Sequence, residues 1–154
     1  YIPTSTDVVP HRVGLRWSGL PEYEHQTKRL FPHELLFNVM KNRGYFINLQ
    51  RDEGEEYCPN WVEKVDLSTW TDTAAAISSC EMVVTSCTCI AHLAGAMGIP
   101  TMIIVPVVPY YLWTLPGTST PYYDSLTVLR QTNPDDWLVP FEQLAEMVIL
   151  REAA

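Results

Sequence analysis

The chain has 154 residues, enough for one domain with a core that needs no disulfide or metal staple. Hydrophobic residues make up 47% and charged residues 18%, which places the chain among soluble globular proteins and argues against disorder except at the ends. A formal net charge of −8 argues against nucleic acid or an anionic membrane surface as the main partner, so an anionic ligand would need local help from the fold.

Residues 1 to 12, YIPTSTDVVPHR, carry two prolines and no periodicity, and read as a linker or extended arm before a domain spanning 13–154. VGLRW is a first strand, ended by Ser18-Gly19-Leu20-Pro21 and followed by the polar loop EYEHQTKR. From Pro32, Leu35, Leu36, Val39 and Met40 recur at helical spacing until Gly44. YFINLQ gives a second strand and VEKVDL a short third. A helix from about Thr71 turns Ala74, Ala75 and Ile77 inward, and MVVT is a buried strand. Ile90, Leu93, Ala94 and Met97 stripe the next helix, which Gly98 and Pro100 close. TMIIVPV follows as a strand, then an aromatic, proline-rich loop. SLTVLRQ is the last strand, and Phe141, Leu144, Ala145 and Val148 mark the last helix.

Strands alternating with helices, the central ones apolar on both faces, predict a doubly wound α/β domain with a mostly parallel, Rossmann-like sheet. The longest apolar run, around Met102 to Val108, is interrupted by Pro106 and too short to span a bilayer, and no leader pattern stands at the N-terminus. Cys58, Cys80, Cys87 and Cys89 form no pair of CxxC units and are read as reduced thiols, which suggests a cytoplasmic setting.

In such a sheet, ligands sit at the carboxyl ends of the strands where strand order reverses, against a helix N-terminus. The stretch TSCTCIAHLAGAMGIP, residues 85–100, occupies that kind of position. The strand ends at Thr85, Ser86-Cys87 form the turn, and Thr88 caps a helix whose first N–H groups suit phosphate oxygens. Small residues at Cys89, Ala91, Ala94, Gly95 and Ala96 allow close approach to the sheet. His92, one turn after Thr88, is either a ligand donor or a buried histidine satisfied by a carbonyl. Ser18 and Gly19 offer a strand-to-loop turn, and Lys28 and Arg29 either reach a diphosphate or are solvated charges. Gln50, at the end of the second strand, either bonds a ligand or caps a turn. Zinc bound by Cys80, Cys87, Cys89 and His92 is the rival for this stretch, and packing is the default role of Cys80 and Cys89. The acidic run 52–56 reads as a solvated loop. Trp113, Tyr122, Tyr123 and Trp137 either frame a base or sugar or belong to the core.

The segments VGLRWSG with KR, FINLQ, DTAAAISSCEMVVTSCTCIAHLAGAMGIPT, LW, PYY, VLRQ and DDW occur in an order that resembles the C-terminal domain of GT-B glycosyltransferases, in particular the bacterial tetratricopeptide-linked and heptosyltransferase-like groups. The matching segments cover nearly all of residues 13–137, and the AHLAGA block with its preceding strand is the most specific. The resemblance implies that a nucleotide-diphosphate sugar binds here and that the acceptor and the catalytic base belong to an N-terminal half. By position, Ser18, Lys28 or Arg29, Thr88 and His92 would contact the diphosphate, with Gln50 near the nucleotide or sugar. The implied reaction is inverting and metal-independent, with no cofactor beyond the donor, and no DxD signature is visible. Many relatives carry an aspartate where this chain has Cys87. The rival from another class is a non-catalytic nucleotide or sugar-phosphate binding module.

Overall fold

A computed structural model describes residues 12–19, 30–51 and 53–152; most of the linker assigned to 1–12 lies outside them. Six strands, four α-helices and two short 3-10 turns stand among these residues. The strands are β1 (Arg12–Arg16), β2 (Tyr45–Asn48), β3 (Val62–Lys64), β4 (Met82–Ser86), β5 (Thr101–Val105) and β6 (Leu126–Arg130). The helices are α1 (His33–Met40), α2 (Trp70–Ser78), α3 (Cys89–Ala96) and α4 (Leu138–Glu152). The sequence order of strands and helices is the one that the periodicity predicts, with β1 starting one residue earlier, at Arg12.

All strand pairs are parallel, and the sheet runs β3-β2-β1-β4-β5-β6. This is the doubly wound, Rossmann-like order, with its reversal between β1 and β4. Those two central strands are joined in register from Val13 opposite Met82 to Arg16 opposite Thr85. Every residue of β4 is buried, as expected for a strand covered on both faces. One face carries Leu15, Trp17, Val84 and Ile104 against Leu36 and Met40 of α1 and Phe141 and Leu144 of α4. The other packs Ile47, Leu49 and Val83 against Ile77 of α2 and Ile90 and Ala94 of α3. Gly14 permits the second contact at the centre of the sheet, because a Cβ there would stand 2.5 Å from Leu49 Cδ1.

Several inward positions differ from the sequence expectation. In α2 it is Thr73, Ile77 and Ser78 that are buried, while Ala75 faces solvent. The helix is short and Thr73 returns its hydroxyl to the Thr69 carbonyl, so a polar residue is accommodated inside. In α3, Ala91, Ala94 and Gly95 are buried, but Cys89 and Ala96 are exposed. Cys89 therefore does not pack in the core. Gly95 meets the ring of Tyr123 rather than the sheet; a Cβ would lie 2.6 Å from Tyr123 Cγ. No helix among the described residues is long and apolar enough to cross a membrane.

Candidate functional site

β1 and β4 are neighbours whose chains leave toward opposite faces, so their carboxyl ends form the switch point at which doubly wound sheets bind ligands. Trp17, Ser18 and Gly19 leave β1 on one side; Cys87 and Thr88 leave β4 on the other. The ends of β1 and β4 thus carry Ser18, Gly19, Ser86, Cys87 and Thr88 to the same edge of the sheet. Lys28 and Arg29 lie outside the described residues.

The β1 side is a closed hydrogen-bonded frame. Gln50 is only 1% exposed, and its Oε1 accepts from the backbone N–H groups of Trp17 (3.2 Å) and Ser18 (2.9 Å). Its Nε2 donates to the carbonyls of Glu53 (2.7 Å) and Arg51 (3.3 Å). Of the two roles open to Gln50, the geometry selects the turn-holding one: its amide is consumed by backbone. The same bonds take the N–H groups of Trp17 and Ser18 away from any ligand, and the Ser18 hydroxyl donates to the Gly19 carbonyl at 3.3 Å. Trp17 Nε1 donates to the Gly54 carbonyl at 2.9 Å. Gly54 itself has φ 90°, in the left-handed region, and a Cβ there would stand 3.1 Å from Ser18 Cβ. The acidic run therefore includes a turn that buttresses the end of β1.

The β4 side is open. Thr88 is the N-cap of α3 with extended backbone, yet its side chain makes no cap bond; Oγ1 lies 3.2 Å from Thr85 Oγ1 instead. The sequence expectation of a hydroxyl cap is corrected on this point. Thr85 has already turned its hydroxyl onto the Ser86 carbonyl at 2.9 Å, which aligns the two threonines. Ala91 N–H bonds the Thr88 carbonyl, whereas the N–H groups of Cys89 and Ile90 have no partner among the described residues. Ser86 Oγ, at the strand end, is buried and also without a partner there.

His92 lies one turn into α3 and is half-buried. Its Nδ1 is 3.2 Å from the Tyr123 hydroxyl, and its ring stacks on Trp113 at 5.2 Å between centroids. The buried-histidine alternative expected a backbone carbonyl as partner; the partner is a phenol. Burial pushes the imidazole below its ordinary value of 6.5, so the ring is neutral at pH 7. Trp113 is 1% exposed and donates its indole N–H to Cys87 Sγ at 3.2 Å. Trp113 and Trp137 are core residues, Tyr122 is exposed, and Tyr123 covers His92.

All four cysteines are free thiols. Cys80 is buried, and burial pushes its pKa up to about 12, which leaves it an inert packing residue. Cys58 is shifted up as well, chiefly by burial. Among the described residues no three of His, Cys, Asp and Glu gather closely enough to hold a metal. The links from Gln50 to Ser18, Trp113 to Cys87 and Tyr123 to His92 escape sequence reasoning. The only signal for the last is the small-residue run around Gly95, which marks a close approach without naming what approaches.

No family model matches the chain, and no curated protein matches it in sequence. Two solved structures match it in three dimensions. ADP-heptose LPS heptosyltransferase II of E. coli aligns with a TM-score of 0.59 at 17% identity, over 93% of this chain and 47% of the enzyme. E. coli heptosyltransferase WaaC, solved with ADP-2-deoxy-2-fluoro heptose, aligns with a TM-score of 0.61 at 16% identity, over 98% of this chain and 45% of the enzyme. The chain has the fold of one half of a GT-B heptosyltransferase. It spans about half the length of these solved relatives. At such low identity the likeness establishes the architecture, and the chemistry rests on the residues at the switch point.

Proposed function

We propose that this chain is the donor-binding half of an inverting, metal-independent glycosyltransferase that moves a sugar from a nucleotide diphosphate to an acceptor hydroxyl. The observation that carries this reading is the uncapped first turn of α3 at the switch point, with the N–H groups of Cys89 and Ile90 unpaired beside the Thr88 hydroxyl. The likeness to heptosyltransferases, one of them solved with an ADP-sugar analogue, supports it.

A diphosphate seated there takes hydrogen bonds from the α3 turn and lies at the positive end of the helix dipole. The Ser18-Gly19 turn at the end of β1 stands opposite, and by the resemblance Lys28 or Arg29 supplies countercharge. In the transfer, a base in the other half of the enzyme removes the acceptor proton. The acceptor oxygen bonds the anomeric carbon, and the bond from that carbon to the phosphate oxygen breaks. Negative charge then grows on the leaving diphosphate, where fixed N–H donors stabilise it better than they stabilise the bound donor. No cofactor beyond the donor takes part. The enzyme works in the cytoplasm, where nucleotide sugars and reduced thiols coexist.

One observation favours a second reading. The sulfur of Cys87, in the turn where the resemblance expects an aspartate, receives the Trp113 indole N–H. A turn so altered suits a module that binds a nucleotide or sugar phosphate without transferring it.

Calorimetric titration of the folded chain with ADP, UDP, GDP and their sugars tests the proposal. Binding of one diphosphate, lost in Thr88→Asp, is the expected result; no binding by any of them overturns it. Donor turnover by the chain joined to an acceptor half separates enzyme from module.

A further inference from the structure

The Tyr123 and His92 pair is built from three directions. Gly95 leaves room for the Tyr123 ring directly over α3, and any Cβ there would collide with three of its carbons within 3.1 Å. Trp113 stacks on His92 at an interplanar angle of 25°, and is itself tied to Cys87 by its indole N–H. Two aromatic walls therefore fix the plane of an imidazole on the helix that opens the site. His92 Nδ1 faces the phenol, whereas Nε2 has no partner among the described residues.

The tautomer follows from counting protons. The phenol proton has one acceptor among the described residues, His92 Nδ1. Donating it there satisfies both atoms and requires the imidazole proton to sit on Nε2. The opposite arrangement, Nδ1–H donating to the phenol oxygen, leaves the phenol proton with no protein acceptor among the described residues and turns Nε2 into an acceptor, which repels an anion.

We propose that Tyr123 is a positioning residue whose hydroxyl locks His92 in the Nε2–H form, so that the imidazole presents an N–H donor beside the open turn of α3. This rests on the donor-site reading for its purpose, though not for its geometry. The neutral ring contributes direction rather than charge. An N–H with a fixed tautomer suits a phosphate or sugar oxygen, and Tyr123 then tunes binding without touching the ligand.

The test is 15N NMR of the histidine ring in the 154-residue chain at neutral pH, with His92→Gln used to assign the signals. The wild type should show a protonated Nε2 and a pyridine-like Nδ1. Tyr123→Phe, which keeps the ring on Gly95, should give averaged nitrogen shifts and bind ADP about fivefold more weakly, the loss of one oriented hydrogen bond. Gly95→Ala, which displaces the tyrosine, should repeat the spectral change. A protonated Nδ1 in the wild type, or an unchanged tautomer in Tyr123→Phe, overturns the proposal. A lost lock with unchanged ADP affinity overturns the positioning role. If the lock is present but the wild type binds none of ADP, UDP and GDP, the lock stands and the donor-site reading falls.

Discussion

Helices α2 and α3 cover the same face of the sheet, and each begins at a threonine in extended conformation, Thr69 or Thr88. Thr69 is closed by its own sequence. Three residues on stands Asp72, whose backbone N–H donates to the Thr69 hydroxyl while its carboxylate accepts from the Thr69 backbone, a complete capping box. At the equivalent place after Thr88 stands Ala91, a buried alanine that can return nothing. One residue three positions into the helix thus decides whether the cap closes on itself, while the N–H groups one and two residues after the cap have no partner among the described residues in either helix. The open cap is also the one at the switch point.

The sharpest way to break this comparison is to close the open cap. Thr88→Asp should cap α3 and leave stability equal or higher by about 0.5 kcal/mol. A carboxylate there meets a diphosphate at close range, so affinity for the preferred nucleotide diphosphate should fall about a hundredfold in calorimetry. Unchanged affinity would mean that the α3 turn does not hold the ligand. The next largest effect concerns the frame opposite. Gln50→Ala strands the buried N–H groups of Trp17 and Ser18 and should cost about 2–3 kcal/mol in urea unfolding. Smaller again is Thr69→Ala, which removes a working cap and should cost about 1 kcal/mol while leaving nucleotide binding untouched. A binding loss in that variant would erase the distinction between the two helices.

The smallest effect is a pH dependence confined to the α3 side. The folded state holds the His92 pKa below its ordinary value of 6.5, by burial. The unfolded chain therefore takes up the proton first as pH falls. Stability contributed by neutral His92 is complete above about 6.5 and is lost as pH drops through the lower folded value. Between about pH 7 and pH 5, wild-type stability should decline more steeply than that of His92→Gln, measured by the urea midpoint. Equal slopes would show that the ring is as well solvated folded as unfolded.

Much of the fold was legible because its signals are local. Leu36 and Met40, or Ile90, Ala94 and Met97, recur at helical spacing, and MVVT has no polar face to show to water, so type and order of elements follow from neighbours in sequence. Burial of single helix positions was less legible. Ala75 and Thr73 exchange places with expectation because a threonine can satisfy its hydroxyl on its own helix, which periodicity of apolar residues does not register. At the site, the strand-turn-helix at Ser86 to Thr88 could be read from composition. What Gln50 and His92 do there could not, since both kinds of role are compatible with one residue at one spacing.

By itself the sequence determined the alternation of strands and helices, the helix opening at Thr88, the absence of an acid at Ala91, and a charge balance that makes an anion depend on local donors. These are properties of residues within one or two turns of each other. Only the tertiary structure decided that Gln50 spends its amide on the backbone of Trp17 and Ser18, that Cys87 accepts from Trp113, and that Tyr123 settles on Gly95 to hold His92. Each of these contacts spans 26 to 33 residues of chain. Such pairs meet because the parallel sheet brings the carboxyl ends of β1, β2 and β4 to one edge and lays the long loop after β5 across α3, an arrangement set by packing on both sheet faces rather than by any local preference.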